Sequence, residues 1–113
     1  MDDRSLKIYS FIQERYLWQF YSRTWDREEN INNILKKIPG IILGEQLTLD
    51  GTTKDTCFYA EAKIAAIELK SKFPWLNELD KAQMEEIFKA VKEKLIDVTI
   101  TRSQNCELNI PNY

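Results

Sequence analysis

The spacing of the apolar residues between positions 80 and 98 restricts the fold of this chain more than any other feature. Successive apolar side chains stand four, three, four and three residues apart (Met84, Phe88, Val91, Leu95, Val98). This rhythm places them on one face of an α-helix and is typical of a helix that packs against antiparallel neighbours. Asp80 and Gln83 have the spacing of a capping box, so the sequence predicts a helix over residues 80–98.

Three further segments show a helical spacing of apolar residues, and turn signals separate them. The segments are residues 3–21, 24–38 and 54–72, and the breaks fall at residues 39–40, at residues 50–51 and around residues 73–75. The chain has only three Gly and three Pro, which is little material for the tight turns of a many-stranded sheet. The sequence therefore predicts an all-α fold, a small four-helix domain that occupies residues 1–113 as a single domain.

Two segments fall outside these helices. Residues 41–53 are predicted to form a packed connector loop, in which residues 41–43 could be a short strand or a further helical turn. Residues 99–113 lose the apolar rhythm, are polar and contain Pro111, so they are predicted to form an extended C-terminal tail.

The predicted third helix has apolar residues on two neighbouring stripes. The first stripe consists of Phe58, Ala62, Ala65 and Leu69. The second stripe consists of Cys57, Ala60, Ile64 and Ile67. So broad an apolar surface predicts burial on more than one side of this helix.

The chain lacks the residue types that most catalytic and metal sites need. It contains no histidine, and so neither the commonest general base nor the commonest metal ligand. Acidic pairs such as Glu85-Glu86 are expected on solvated helix faces, because a ferritin-like metal site needs inward-facing Glu-x-x-His pairs. Cys57 and Cys106 are expected to be reduced thiols, too few to hold an iron–sulfur cluster. We expect no catalytic, metal or cofactor-binding residue in this chain.

Charge and hydropathy exclude several partners. The net charge of −2 argues against attraction to nucleic acid or to an anionic membrane. No apolar run approaches the roughly eighteen residues of a membrane span, and the first residues do not resemble a signal peptide. We expect a cytoplasmic protein with neither a nucleic-acid nor a membrane partner.

Residues 17–31 (LWQFYSRTWDREENI) concentrate the residue types that anchor protein interfaces. Trp, Tyr and Arg combine a large contact surface with a polar group. Trp18 would lie about 200° from Tyr16 on a helical wheel, away from the apolar stripe of the first helix. Trp18 and Trp25 are therefore either interface anchors or core residues with a second intramolecular neighbour. If the second helix extends back to Arg23, this side chain shares a face with Arg27.

Three blocks of the chain resemble the delta subunit of alternative nitrogenases. They are residues 17–31, residues 73–75 (FPW) and residues 97–103 (DVTITRS), the last followed by Glu-Leu-Asn at 107–109 and by Tyr113. The blocks keep the family's order and similar spacing from near residue 6 to the C-terminus, although residues 109–113 match only loosely. Residues 20–31 and 101–103 are closer to the vanadium–iron version of the family than to the iron-only version.

The resemblance implies a small, helical, non-catalytic subunit of the dinitrogenase component in a prokaryote. Its partners would be the alpha subunit, mainly, and the beta subunit, in a hexamer with two copies of each chain. The iron–vanadium or iron-only cofactor and the iron–sulfur clusters would belong to the larger subunits, and a separate iron protein would supply electrons for the reduction of dinitrogen to ammonia. We expect the interface anchors to be Trp18, Gln19, Arg23, Trp25, Asp26, Arg27, Trp75, Arg102 and Ser103.

Two other functions compete with a permanent docking role. One is an assembly factor that aids insertion of the cofactor into the apo complex. The other is a free-standing helical enzyme or ligand carrier, which would retain a small molecule as a purified monomer.

Overall fold

Four α-helices and one short 3₁₀ helix make up the described part of the chain. The computed structural model describes the backbone of residues 2–16 and 26–109, and the side chains of residues 2–16 and 30–95. In chain order the elements are α1 (Asp3–Arg15), α2 (Asp26–Leu43), α3 (Thr53–Lys72), the 3₁₀ helix (Pro74–Glu78) and α4 (Lys81–Asn109). No strand occurs within these ranges, so the predicted all-α class is confirmed. None of the described helices is long and apolar enough to cross a membrane.

Side chains next to the helix starts satisfy backbone N–H groups that have no partner inside the helix. The Asp2 carboxylate accepts a hydrogen bond from the Ser5 N–H at 2.7 Å, at the start of α1. At α4 the predicted capping box is complete. The Gln83 N–H donates to Asp80 Oδ1 at 2.8 Å, and the Asp80 N–H donates to Gln83 Oε1 at 3.0 Å.

α2 continues through Pro39 and Gly40 to Leu43, so the predicted end of this helix at residue 38 is wrong. Proline removes one backbone donor from the helix, and α2 accommodates that loss. A Cβ on Gly40 would lie 2.7 Å from Leu47 Cδ2, so the glycine allows the connector to pack closely on the helix. The helix ends instead at Leu43, and the following Gly44 has a φ of +77°, the left-handed conformation that suits glycine after a helix. Of the two alternatives for residues 41–43, the further helical turn is correct.

The far ends of α1 and α4 also differ from the predictions. α1 ends at Arg15, and Tyr16 leaves the helical conformation with φ −112° and ψ 18°. The predicted continuation over residues 17–21 lies outside the described residues. α4 runs to Asn109 and does not end at residue 98, so the extended tail is wrong for residues 99–109. No Gly or Pro interrupts residues 81–110, and loss of the apolar rhythm ends a packing face without ending a helix.

The core lies where α2 packs on α3 and where α4 crosses both α1 and α2. The 3₁₀ helix packs against α3 and α2 and brings Leu76 into the core. Burial of large aliphatic side chains from all these elements holds the fold together, at about 1.5–3 kcal/mol for each one fully buried. The largest fully buried side chains are Ile8, Ile12, Ile38, Leu69, Leu76, Met84 and Val91.

Asp55 joins α2, the connector and α3. Its Oδ1 lies 2.7 Å from Lys37 Nζ, and the two side chains are only 14% and 15% exposed. Its Oδ2 accepts a hydrogen bond from the Asp50 N–H at 2.9 Å. The Asp55 N–H donates to Thr52 Oγ1 at 3.1 Å, but the carboxylate does not return a bond to Thr52. The predicted capping box is therefore half formed, and its carboxylate is used to fasten the connector.

The ion pair between Lys37 and Asp55 should make stability depend on pH. The hydrogen bond from Lys37, followed by the one from the Asp50 N–H, holds the pKa of Asp55 below its ordinary value of 3.8. Because this pKa is lower in the folded state, the stabilisation is complete above the unfolded-state pKa and disappears as the pH falls through the folded-state pKa. Asp55→Asn should therefore lower the urea midpoint near neutral pH. Its difference from wild type should shrink between about pH 5 and about pH 3.

Asp3→Asn is the matched control for this measurement, since Asp3 pairs with Lys7 at 3.2 Å on the exposed surface of α1. Exposed pairs contribute little, so this variant should follow wild type at every pH. A difference between Asp55→Asn and wild type that stays constant into the acid range would contradict the prediction.

Candidate interaction surface

Arg15 and Tyr16 fasten the end of α1 to the side of α3. The Arg15 Nε and Nη2 donate to Glu61 Oε1 at 2.8 and 2.6 Å, and Nη1 donates to Glu68 Oε2 at 2.5 Å. The buried Tyr16 hydroxyl donates to the same Glu61 oxygen at 2.8 Å. One guanidinium thus bonds two carboxylates that lie at different positions along α3. Lysine could not reproduce this arrangement, because it lacks the planar fork of N–H donors. The chain is held at this point, directly before residues 17–25.

The Tyr16 phenol serves as a hydrogen-bond donor. Burial raises its pKa well above the ordinary value of 10.0, and the hydrogen bond to the Glu61 carboxylate raises it further. The hydroxyl therefore keeps its proton at physiological pH and can continue to donate to Glu61. This arrangement stabilises the junction between α1 and α3 and gives the phenol no role as a base.

Trp75 is the one proposed anchor whose side chain lies in the described part of the chain. It is half-buried and packs against the core. Its ring lies 5.1 Å from Arg4 Cζ, within range of a cation–π contact, and 5.8 Å from the Phe73 ring at an interplanar angle of 44°. Part of its surface is therefore already used to tie the start of α1 to the 3₁₀ helix.

The other proposed anchors lie outside the described side chains. Their positions divide into two groups. Trp18, Gln19, Arg23 and Trp25 fall within residues 17–25, which are outside the described residues. Asp26 and Arg27 begin α2, and Arg102 and Ser103 belong to α4, but their side chains are outside the described set. The predicted shared face of Arg23 and Arg27 stays a prediction.

An apolar surface of α3 that the sequence predicts to be buried is exposed in the structure. The second stripe of α3, with Cys57, Ala60, Ile64 and Ile67, is exposed and not buried. Ile64 is 50% and Ile67 is 67% exposed, whereas Leu69 on the first stripe is fully buried. We call these four residues the outer face of α3. Both stripes can be recognised in the sequence, but the spacing of their residues does not predict which stripe packs against another helix.

Within the described ranges, no group of three or more His, Cys, Asp or Glu side chains is placed to hold a metal ion. Glu61 and Glu68 are both paired with Arg15. The described surface therefore offers contact area and ion pairs, which are features of an interaction surface.

Comparison with known proteins points to one family. Residues 2–113 match the family model described as "Vanadium/alternative nitrogenase delta subunit". The chain is 39% identical over 107 residues to the nitrogenase iron-iron protein delta chain of Clostridium pasteurianum, an alignment that covers 95% of this chain and 91% of that relative. It is 37% identical over 113 residues to the protein of the same name from Rhodospirillum rubrum, covering 100% and 97%. The protein of that name from Azomonas macrocytogenes is 34% identical over 113 residues, covering 100% of both chains.

Proposed function

Because the chain belongs to the vanadium/alternative nitrogenase delta-subunit family, we propose that it is a non-catalytic subunit that docks on the alpha subunit of the dinitrogenase component. A delta subunit of a nitrogenase associates with other nitrogenase subunits. The alpha subunit as main partner, the beta subunit as second partner and a hexamer with two copies of each chain are the finer parts of the proposal. The match to the family along the whole chain is the observation that carries it.

The fold supports a docking role for residues 17–31, where the resemblance is most specific. On one side of this segment, Arg15 and Tyr16 are hydrogen-bonded to α3. On the other side, α2 begins at Asp26 and has Ile31 buried in the core. Residues 17–25 therefore connect two helices whose described parts pack in the core.

The metal in the cofactor of the complex, vanadium with iron or iron alone, depends on the large subunits. We propose the vanadium–iron version, because the sequences of residues 20–31 and 101–103 are closer to that version of the family. The compared relatives are named iron-iron proteins at 34–39% identity, which favours the iron-only version as the alternative. In either version we propose that the cofactor and the iron–sulfur clusters are held by the alpha and beta subunits, that an iron protein delivers electrons, and that the assembled enzyme reduces dinitrogen to ammonia.

Co-purification tests this function. An affinity-tagged copy of the chain, co-expressed with the large nitrogenase subunits of its own genome, should be recovered in a complex with two copies of each of the three chains. Native mass spectrometry measures that composition, and elemental analysis should find vanadium together with iron in the complex. The tagged chain expressed alone is the control, and it should be helical by circular dichroism and free of both metals.

Each alternative has its own result in this experiment. Recovery of the tagged chain alone, from cells that contain the large subunits, would contradict docking. Iron without vanadium in the complex would assign the iron-only version. A chain that binds only the complex without cofactor, and leaves after cofactor insertion, would be an assembly factor.

A further inference from the structure

The outer face of α3 contains two of the large hydrophobic side chains that are exposed in the described part of the chain. Its residues recur three and four positions apart, so they form one continuous strip along the helix, on the side opposite the buried Ala62, Ala66 and Leu69. Only three large aliphatic side chains are exposed among the described residues. They are Ile64 and Ile67 of this face and Leu6 of α1. Two such side chains on consecutive turns, beside a small alanine, form a surface that another helix can approach closely.

Charged residues border the strip unequally. On one border lie Glu61 and Glu68, and Arg15 bonds both of these carboxylates. On the other border lie Lys63 and Lys70, which have no carboxylate partner among the described residues. The lysine border is therefore the side with charge available for a partner, and carboxylates are the groups that complement it.

A second copy of this chain would match the strip poorly. In an antiparallel two-fold pairing of helices, equal borders meet, so the lysines of one copy would face the lysines of the other. In a parallel pairing the lysines would meet Glu61 and Glu68, each of which already has one oxygen bonded to Arg15. Residues 57–67 form a strip only about 15 Å long and about 10 Å wide. Its area, on the order of 150 Å², is far below the roughly 800 Å² per partner of a stable interface, so the strip alone cannot hold any partner, and the charge pattern is what argues against a second copy.

We propose that the outer face of α3 is a docking surface for a large nitrogenase subunit, and that its occupant is an apolar helical surface with carboxylates along the side that meets Lys63 and Lys70. This inference rests on the proposed function and adds a contact that none of the nine expected anchors includes. The strip is too small to act alone, so it forms part of a larger interface. Its occupant therefore contacts this chain at other places as well.

Charge insertion at the strip tests the proposal. Ile64→Glu and Ile67→Glu should each be recovered about tenfold less than a differently tagged wild-type chain that competes for the same large subunits, because each places an unpaired carboxylate in an apolar contact. Glutamate has a higher helix propensity than isoleucine, so the thermal midpoint of the isolated variant should stay at the wild-type value or rise. Leu6→Glu is the matched control, since Leu6 is 47% exposed on α1, and it should compete as wild type.

The lysine border has a separate test. Lys63→Glu should weaken competition several-fold at low salt, and the loss should diminish at high salt as screening increases. Lys92→Glu on α4 makes the same change of net charge at another exposed lysine and should have no effect. Equal losses for both lysine variants would show a general charge effect and overturn the assigned partner chemistry.

Cys57 reports occupancy directly, since it is exposed on the strip. Its alkylation by a maleimide, followed by mass spectrometry of the peptide that contains it, should be fast in the isolated chain and at least about tenfold slower in the complex. Slow alkylation in the isolated chain would overturn the proposal in favour of cover by the chain itself or by a second copy, which the molar mass of the isolated chain distinguishes.

The two proposals fail in different ways. If wild type forms the complex and the Ile64 and Ile67 variants compete equally with it, the outer face of α3 is not an interface and the docking function stands. If wild type forms no complex, the docking function itself is wrong.

Discussion

Leu69→Ala is expected to lower the free energy of unfolding by about 2–5 kcal/mol. Leu69 is fully buried on the inner side of α3, among the core residues that α2, α4 and the 3₁₀ helix also supply. Truncation removes apolar burial and leaves a cavity that rigid helix packing can close only in part. Urea unfolding of the isolated chain, followed by circular dichroism, measures the change through the shift of the midpoint at constant slope.

Ile67→Ala is the internal control for this measurement, two residues away on the same helix. Ile67 is 67% exposed, so its truncation removes little burial, while alanine has the higher helix propensity. We expect a change of less than about 0.5 kcal/mol. A loss at Ile67 as large as that at Leu69 would mean that both stripes of α3 are buried in the isolated chain.

Trp18→Ala and Trp25→Ala are expected to weaken association with the large subunits by about 2–4 kcal/mol, the size found at interface anchors. This corresponds to a loss of affinity between about 30-fold and about 1,000-fold. A tryptophan side chain contributes a large apolar surface and one N–H group to an interface. The predicted first helix already has other apolar residues to face the core, so the tryptophans are left for contact with a partner. Competition with wild type for the same large subunits measures the effect.

The stability of the isolated variants separates an interface residue from a core residue. An interface tryptophan leaves the thermal midpoint of the isolated chain unchanged, whereas a core tryptophan lowers it. A variant with a lowered midpoint that binds normally at a temperature where it is folded would identify that tryptophan as core.

Arg23→Lys adds a test of the guanidinium fork, since lysine keeps the charge and loses the planar geometry. The lysine variant should fold normally and co-purify poorly.

Local patterns predicted the helices well. The Asp80–Gln83 capping box, the start of α3 after Thr52 and the helical rhythm of α4 involve residues within four positions of one another, and all are present in the structure. The family was also accessible from sequence, because its motif blocks are specific and span the chain. Of the candidate site, the sequence proposed nine anchors, which stay a prediction. Only Trp75 among them has a described side chain, and its contacts with Arg4 and Phe73 could not be foreseen.

The helix ends that were predicted wrongly have different causes. α2 passes Pro39 and Gly40, and the connector packs Leu47 close to the glycine, a contact that helix-stop rules do not include. α1 ends where Arg15 and Tyr16 meet Glu61, more than forty residues away. α4 extends beyond its apolar rhythm because the rhythm marks packing, whereas backbone hydrogen bonds alone can continue a helix.

The sequence by itself determined the helical class, the main capped helix starts and the family, since these follow from short-range spacing and from motifs. Only the tertiary structure decided which apolar stripe of α3 is buried. Both stripes have the same spacing and similar residues, and each could equally form a core. Burial requires a neighbour, and α2 and the 3₁₀ helix pack against α3 while Ile64 and Ile67 remain exposed. The positions of the neighbouring described helices therefore decide which stripe is the outer face of α3.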